Sequence, residues 1–277
     1  MGIRYDFSAA EILKQLGYLN ETSGEILEKF MEEKKISLPE VYCEFMGAAI
    51  DCPLLETSDI WVWKMIPFVM KPYFFYEEIE QVIEDQKEKW EKNPQKYADN
   101  IYHIFYQLPR DRWKEKSCDY LKIGSDYGAG IVCFGIRRQD LGEEDPPVYM
   151  NHEADPITVW KKMYERLSDY LLEVVLTALA CVDYSTAQEA LEEEGWEYLD
   201  YEEYEMESAE EEDGILEDEK WQEQMLAQSG IDLELVKRVN CTYGGELFFC
   251  QDEEKKCFYL GRTEEEETAL TILSKEK

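Results

Sequence analysis

Apolar residues recur three and four positions apart through much of the first hundred residues, which is the spacing of helices that bury one face. Three segments near the N-terminus also carry a capping box, in which a Ser or Thr precedes a Glu by three positions: Ser8–Glu11, Thr22–Glu25 and Ser37–Glu40. The pattern therefore predicts a short helix after each of these pairs. It predicts two more helices, one over 76–90 and one that begins at Asn93-Pro94 and ends near residue 108.

The periodicity changes from helical to alternating after residue 119. Strands are predicted over 120–123, 131–136 and 148–150. Asp155-Pro156 then begins a predicted helix, whose apolar residues run from Trp160 to Ala178. Near the C-terminus a helix is predicted at 218–228, and alternation predicts strands at 236–243, 246–251 and 257–260.

The periodic apolar faces end at Val182, which predicts a division of the chain into three parts. We expect residues 1–185 to form one domain. Residues 186–214 are predicted to be an acidic linker or an interaction segment. Residues 215–277 are predicted to form a small C-terminal subdomain, made of a helix and a β-hairpin.

Charge limits the class of partner. The 277 residues include 29 Lys and Arg against 63 Asp and Glu, a formal net charge of −34. Nucleic acids and anionic membranes are bound largely through Lys and Arg, so the composition argues against both as direct partners. Half of the net charge lies between Glu189 and Glu219, where 17 residues are acidic and none is basic. A protein partner attracted to this chain by its charge should be basic.

One stretch resembles a family signature. The segment Leu38-Pro39-Glu40-Val41-Tyr42-Cys43-Glu44-Phe45-Met46 resembles the LPxxYxxFL motif of the SMI1/KNR4 proteins, although Gly47-Ala48-Ala49 replaces their common Asn-Gly-Gly. The segment 120–126 followed by 130–132 is similar to their central strand pair. Pro147-Val148-Tyr149 and the segment from Ile157 are similar to their later strand and closing helix. The resemblance covers roughly residues 1–185, and the tail beyond them has no counterpart.

The resemblance carries implications for both fold and function. It implies an α+β fold in which one mixed β-sheet is flanked by helices, here with a small C-terminal α/β extension. Many bacterial members of this superfamily, known as SUKH, look like immunity proteins, which bind and neutralise a toxin domain that is often a nuclease. The implied partner is therefore a basic toxin domain. The alternatives are an intracellular scaffold or regulatory protein-binding module of the same fold and, ranked last, a carboxylate-dependent hydrolase.

Two acidic patches are candidate partner-binding sites. One is the loop between the second and third strands, with Asp140, Glu143, Glu144 and Asp145. The other is the block Tyr201, Glu202, Glu203 and Tyr204, which we favour because it places aromatic anchors among the acids. The alternative for this block is a solvated linker.

Catalytic and metal chemistry finds little support in the sequence. The eight Cys and two His residues show no metal-ligand spacing, and no nucleophile motif accompanies either His. We therefore expect no cofactor, no metal and no enzyme activity. The N-terminal residues lack a secretory signal, and the longest apolar run is too short to span a bilayer, so a cytoplasmic protein is expected.

Overall fold

The computed structural model describes residues 7–19, 23–50, 52, 55, 65–66, 73–98, 101–113, 119–126, 132–152, 159–180, 189, 192–205, 237–240, 246–252, 257–264 and 267–274. The chain divides into two compact units. Unit 1 comprises Met1–Arg4, Asn20–Asp51 and Trp61–Tyr170, and unit 2 comprises Tyr5–Leu19, Cys52–Ile60 and Leu171–Lys277. Two segments from the first sixty residues, Tyr5–Leu19 and Cys52–Ile60, thus group with the C-terminal part of the chain. The boundary at residue 185 stays a prediction.

Unit 1 contains four complete helices and the first turn of a fifth among its described residues. They are α2 (Ser23–Lys34), α3 (Glu40–Ala49), α4 (Phe75–Lys92), α5 (Ile101–Tyr106) and the beginning of α6 (Leu167–Ala180). Short 3-10 turns lie at Pro94–Tyr97, Arg110–Arg112 and Arg138–Asp140. The predicted capping box before α3 is wrong, because Pro39 occupies the N-cap and no side chain caps the helix there.

The strands of unit 1 form one sheet. They are β1 (Met65–Ile66), β2 (Tyr73–Phe74), β3 (Tyr120–Asp126), β4 (Val132–Arg137), β5 (Val148–His152) and β6 (Lys161–Tyr164). The order is β1-β3-β4-β5-β6, and β2 also pairs with β3. Every described pairing is antiparallel, so the implied mixed sheet is wrong for these strands.

The segment from Trp160 to Tyr164 is the main error of secondary-structure prediction. Its apolar residues fit a helical spacing, but the chain forms β6 there and α6 begins only at Leu167. Tyr164 lies opposite Val148, and Lys162 lies opposite Tyr149. Hydrogen bonding to the exposed edge of β5 therefore outweighs the local helical pattern.

Both faces of the sheet in unit 1 are packed. One face carries five side chains that are fully buried: Leu121, Ile123, Phe134, Ile136 and Val148. Tyr170 at the start of α6 stacks on Phe134 at 5.2 Å between ring centroids. On the opposite face, Cys133 and Trp160 pack against the buried cluster of α4 and α5: Phe75, Ile79, Ile83, Trp90 and Phe105.

Unit 2 combines helices with a second antiparallel sheet. Its helix α1 (Ala9–Leu16) begins with the predicted capping box, which is confirmed by reciprocal hydrogen bonds between Ser8 and Glu11. The α1 helix ends at Gly17, whose φ of 108° lies in the left-handed region. The indole nitrogen of Trp196 donates to the carbonyl of Leu16 at 2.9 Å, which ties the chain before the sheet to the end of α1.

The sheet of unit 2 has five strands in the order β7-β11-β10-β9-β8. They are β7 (Glu197–Glu205), β8 (Lys237–Asn240), β9 (Glu246–Asp252), β10 (Cys257–Glu264) and β11 (Glu267–Ser274). The predicted hairpin is therefore part of a larger sheet. The predicted helix at 218–228 lies outside the described residues. Helices together with antiparallel sheets confirm the α+β class.

Candidate functional site

The acidic loop between β4 and β5 is fastened at its first carboxylate. The side chain of Asp140 is buried and accepts two hydrogen bonds from the guanidinium of Arg137, at 2.7 Å from Nε and 3.0 Å from Nη2. A bidentate pair of this kind fixes the orientation of both groups. The backbone N–H of Glu143 donates to the carbonyl of Asp140 at 3.0 Å, which tightens the turn that follows.

The other end of the loop is fastened to two helices. The carboxylate of Asp145 accepts from the backbone N–H of Ser168 at 2.8 Å and from its hydroxyl at 2.7 Å, and so satisfies a free donor in the first turn of α6. The backbone N–H of Val41, in the first turn of α3, donates to the carbonyl of Glu144 at 3.4 Å. The loop is thus held by β4, α3 and α6.

Two of the four loop carboxylates have hydrogen-bond partners within unit 1. Asp140 and Asp145 serve the structure of the loop, because each is occupied by hydrogen bonds within unit 1. Glu143 and Glu144 are the exposed carboxylates. Among the four loop carboxylates, these two therefore have the most solvent-accessible side chains.

The second predicted patch lies on β7, at one edge of the five-stranded sheet. Residues 197–205 form this strand and pair with β11. Tyr201 lies opposite Leu270 and Tyr204 opposite Thr268, so that Glu202 and Glu203 together oppose a single residue. This irregularity is a β-bulge. It places the two tyrosine positions on one face of the sheet, where strict alternation would separate them.

A group of aromatic residues, which the sequence analysis did not single out, lies next to the acidic loop. We call it the aromatic platform, and it consists of Tyr120, Tyr149, Trp160 and the guanidinium of Arg137. Tyr120 stacks on Trp160 with centroids 4.3 Å apart and planes 7° from parallel, and Tyr149 meets the edge of Tyr120 at 5.4 Å. The guanidinium carbon of Arg137 lies 4.7 Å from the centroid of Tyr149. All three rings are partly exposed.

Strand register brings the platform together. Tyr120 lies opposite Arg137, and Tyr149 lies opposite Gly135, two residues from Arg137 on β4. Residues two apart on a strand share a face, so these positions lie on one face of the sheet, in two neighbouring rows across β3, β4 and β5. The ring of Trp160 lies against Gly135, where a Cβ would come within 3.1 Å of it.

The platform packs against the core of unit 1 and interacts electrostatically with the acidic loop. Trp160 meets Phe75 of the buried cluster edge to face, with centroids 6.0 Å apart. Partial burial raises the pKa of Tyr149. The positive charge of Arg137 lowers this pKa, and the negative charges of Asp140 and Glu143 raise it. The phenol is therefore neutral near pH 7 and lies within electrostatic reach of the loop.

Sequence reasoning missed the platform because its members come from separate strands and their neighbours depend on register. One available signal was the Gly135 position within an otherwise apolar strand, which often marks a close approach by another group. In addition, a helix is predicted at Trp160, and a helix there would not place its ring beside Tyr120.

Within the described ranges, no group of three or more His, Cys, Asp or Glu side chains is placed to hold a metal ion. No helix in that part of the chain has the length and apolar character needed to cross a membrane. Comparisons with protein-family models, with curated proteins and with solved structures gave no match. The candidate site rests on the geometry alone: two exposed carboxylates on a fastened loop, beside a fixed group of partly exposed aromatic rings.

Proposed function

We propose that the chain is a non-enzymatic binding protein that neutralises a basic toxin domain by direct contact, as its resemblance to SMI1/KNR4 immunity proteins implies. The observation that carries the proposal is the fastened acidic loop. Glu143 and Glu144 are exposed on a loop that hydrogen bonds hold to three elements of unit 1. A nuclease domain, which itself carries basic residues for nucleic acid, would fit such a surface.

The segment that resembles the family signature supports this proposal, because it helps to build the acidic loop. Tyr42, Phe45 and Met46 are buried in unit 1 and fix the position of α3. The first turn of α3 then donates the Val41 hydrogen bond to the loop. The signature thus links the core of the proposed SMI1/KNR4-like domain to the surface that would meet a partner.

Preorganisation and charge are the physical reasons why such a loop can bind. Carboxylates held in place before binding lose less conformational freedom when they pair with a cation. A net charge of −34 attracts a basic domain and raises the association rate, most strongly at low ionic strength. Exposed charges are screened over about 8 Å at physiological salt, so this effect should weaken as salt is added. We place the encounter in the cytoplasm, where an immunity protein of this kind would act.

Co-expression tests the proposal. The C-terminal domain of the protein encoded immediately upstream is expressed from an inducible promoter, with and without this chain. We expect the domain alone to arrest growth, and the intact chain to restore growth and form a stoichiometric complex with an inactivated form of the domain. No rescue and no complex would contradict the proposed function.

A charge-matched control makes the test specific. Glu143→Gln combined with Glu144→Gln should slow association, because it removes the exposed carboxylates of the loop. Glu32→Gln combined with Glu33→Gln changes the net charge equally, on an exposed part of α2. Equal effects of the two pairs would show that net charge alone is responsible, and would remove the loop from the proposal.

A further inference from the structure

We infer that the basic partner is held by the aromatic platform together with Glu143 and Glu144, and that the platform, not strand β7, supplies the buried anchors of the interface. The inference rests on the proposed function. It adds which surface of unit 1 would contact the toxin domain and which side chains would be buried there. The occupant is a Lys- and Arg-bearing surface of a folded toxin domain.

The composition and rigidity of the platform suit an interface centre. Tyr, Trp and Arg are the residues that most often dominate binding energy when they become desolvated at such a centre. Here Tyr120 is stacked on Trp160 at 4.3 Å and meets Tyr149 edge to face at 5.4 Å, and Trp160 is also packed against Phe75. Rings that are already fixed lose little side-chain entropy on binding.

Charge decides which kind of partner the platform fits. The guanidinium of Arg137 is committed to Asp140 through two hydrogen bonds. Lys122, which lies opposite Gly135 on the same face, is buried. The nearby Lys162 forms an ion pair with Glu165 at 2.7 Å. Glu143 and Glu144 are exposed, and neither forms an ion pair with any residue that the structure describes. The surface therefore offers negative charge beside apolar rings, which complements a basic protein and not a phosphate.

Strand β7 is the rival surface, and its backbone argues against it. A bulge and a high density of acidic residues are two devices that protect an edge strand from pairing with another chain. Both occur in β7, since Glu202 and Glu203 form the bulge. The backbone of β7 is thus built to limit edge pairing, whereas Arg137 joins the loop at Asp140 to the platform at Tyr149.

Binding kinetics separate the two surfaces. The inactivated upstream-encoded domain is immobilised, and association and dissociation rates are measured for the full chain at low and at physiological ionic strength. Tyr149→Ala should raise the dissociation rate by about tenfold or more, as expected for loss of a central aromatic anchor. Tyr149→Phe keeps the ring and should stay within about twofold of the parent chain.

The carboxylates should act on the other rate. Glu143→Gln with Glu144→Gln should slow association by about three- to tenfold at low salt and less at physiological salt. The rival variant, Tyr201→Ala with Tyr204→Ala, should leave both rates within about twofold. Thermal melting of each variant verifies that the chain remains folded.

The outcomes are distinguishable. If the parent chain neither binds the domain nor restores growth, the proposed function fails. If the parent chain binds, and Tyr149→Ala dissociates no faster than Tyr149→Phe, the inferred surface is wrong. If Tyr201→Ala with Tyr204→Ala accelerates dissociation while Tyr149→Ala does not, the anchors lie on β7.

Discussion

Replacing Gly135 with alanine tests whether the aromatic platform depends on the close approach of Trp160 to the sheet. Gly135 lies on β4 with no positive φ, so its backbone accommodates alanine without strain. The added Cβ would lie 2.9 Å from the carbonyl oxygen of Leu121 and 3.1 Å from Cζ3 of Trp160. A Cβ does not come this close to a backbone atom, so β3, β4 or the indole must shift.

The magnitude follows from two opposed terms. Overpacking of a buried site costs about 1–3 kcal/mol. Alanine loses less backbone entropy than glycine on folding, which returns about 0.5–1 kcal/mol. The midpoints of the two ranges give a net loss of stability of about 1.25 kcal/mol, which lowers the melting temperature by roughly 2–5 °C in a chain of this size.

Thermal melting and near-UV circular dichroism provide the assay. The close stacking of Tyr120 on Trp160 should contribute to the near-UV signal, and displacement of Trp160 should reduce that signal. Gly142→Ala is the matched control, because nothing lies within 4 Å of a Cβ at that exposed turn. It should be neutral, or stabilise the chain by about 0.4–1 kcal/mol.

The reasoning is refuted if Gly135→Ala melts at or above the temperature of the parent chain and keeps its near-UV spectrum. That result would mean that the arrangement of Tyr120, Gly135 and Tyr149 on this face does not depend on the approach of Trp160. A large fall in melting temperature for both Gly135→Ala and Gly142→Ala would instead point to an effect of alanine that is unrelated to packing.

Three further substitutions test other parts of the fold. Gly24→Ala should stabilise α2 by about 0.5–1 kcal/mol in thermal melts, because the added Cβ meets nothing within 4 Å and glycine is a poor helix former. A lower melting temperature than that of the parent chain would contradict this. Tyr42→Phe should raise the free energy of unfolding in urea by about 1 kcal/mol, because the buried Tyr42 hydroxyl has no hydrogen-bond partner among the described residues; a loss of stability would reveal a partner. Asp145→Ala should cost about 1–2 kcal/mol in the same assay, because it removes the acceptor of both Ser168 hydrogen bonds, and Asp145→Asn should cost less. Equal stability of the alanine variant and the parent chain would show that Asp145 does not stabilise the start of α6.

Local signals were sufficient where the structure is determined locally. The capping box at Ser8 is confirmed because its two hydrogen bonds join residues only three apart. The predicted strands that became β3 and β4 carry fully buried apolar side chains two positions apart, Leu121 and Ile123 on β3 and Phe134 and Ile136 on β4, and this spacing is visible in sequence. Strand β11 was missed because Glu265-Glu266 before it lacks the Gly, Asn or Pro residues that indicate a hairpin turn.

Contacts between residues that are distant in sequence could not be predicted from such local signals. Strand β6 exists because β5 offers an edge for it, and the residues of β6 alone fit a helix equally well. The role of Asp145 depends on Ser168, which is 23 residues further along the chain. The bulge in β7 is defined only by its pairing with β11, and it reverses the expected separation of Tyr201 and Tyr204.

The same dependence on register changes which acidic patch makes the better candidate interface. From sequence, the β7 block was favoured because tyrosines lie among its acids, whereas the loop has none between Asp140 and Asp145. In the folded chain, strand pairing places Tyr149 and Tyr120 beside the loop, and Arg137 contacts both Asp140 and Tyr149. Buried contacts govern dissociation, whereas exposed charge governs association. The loop and the platform therefore combine aromatic rings for slow dissociation with exposed carboxylates for fast association. Added salt should lower the association rate and leave the dissociation rate unchanged.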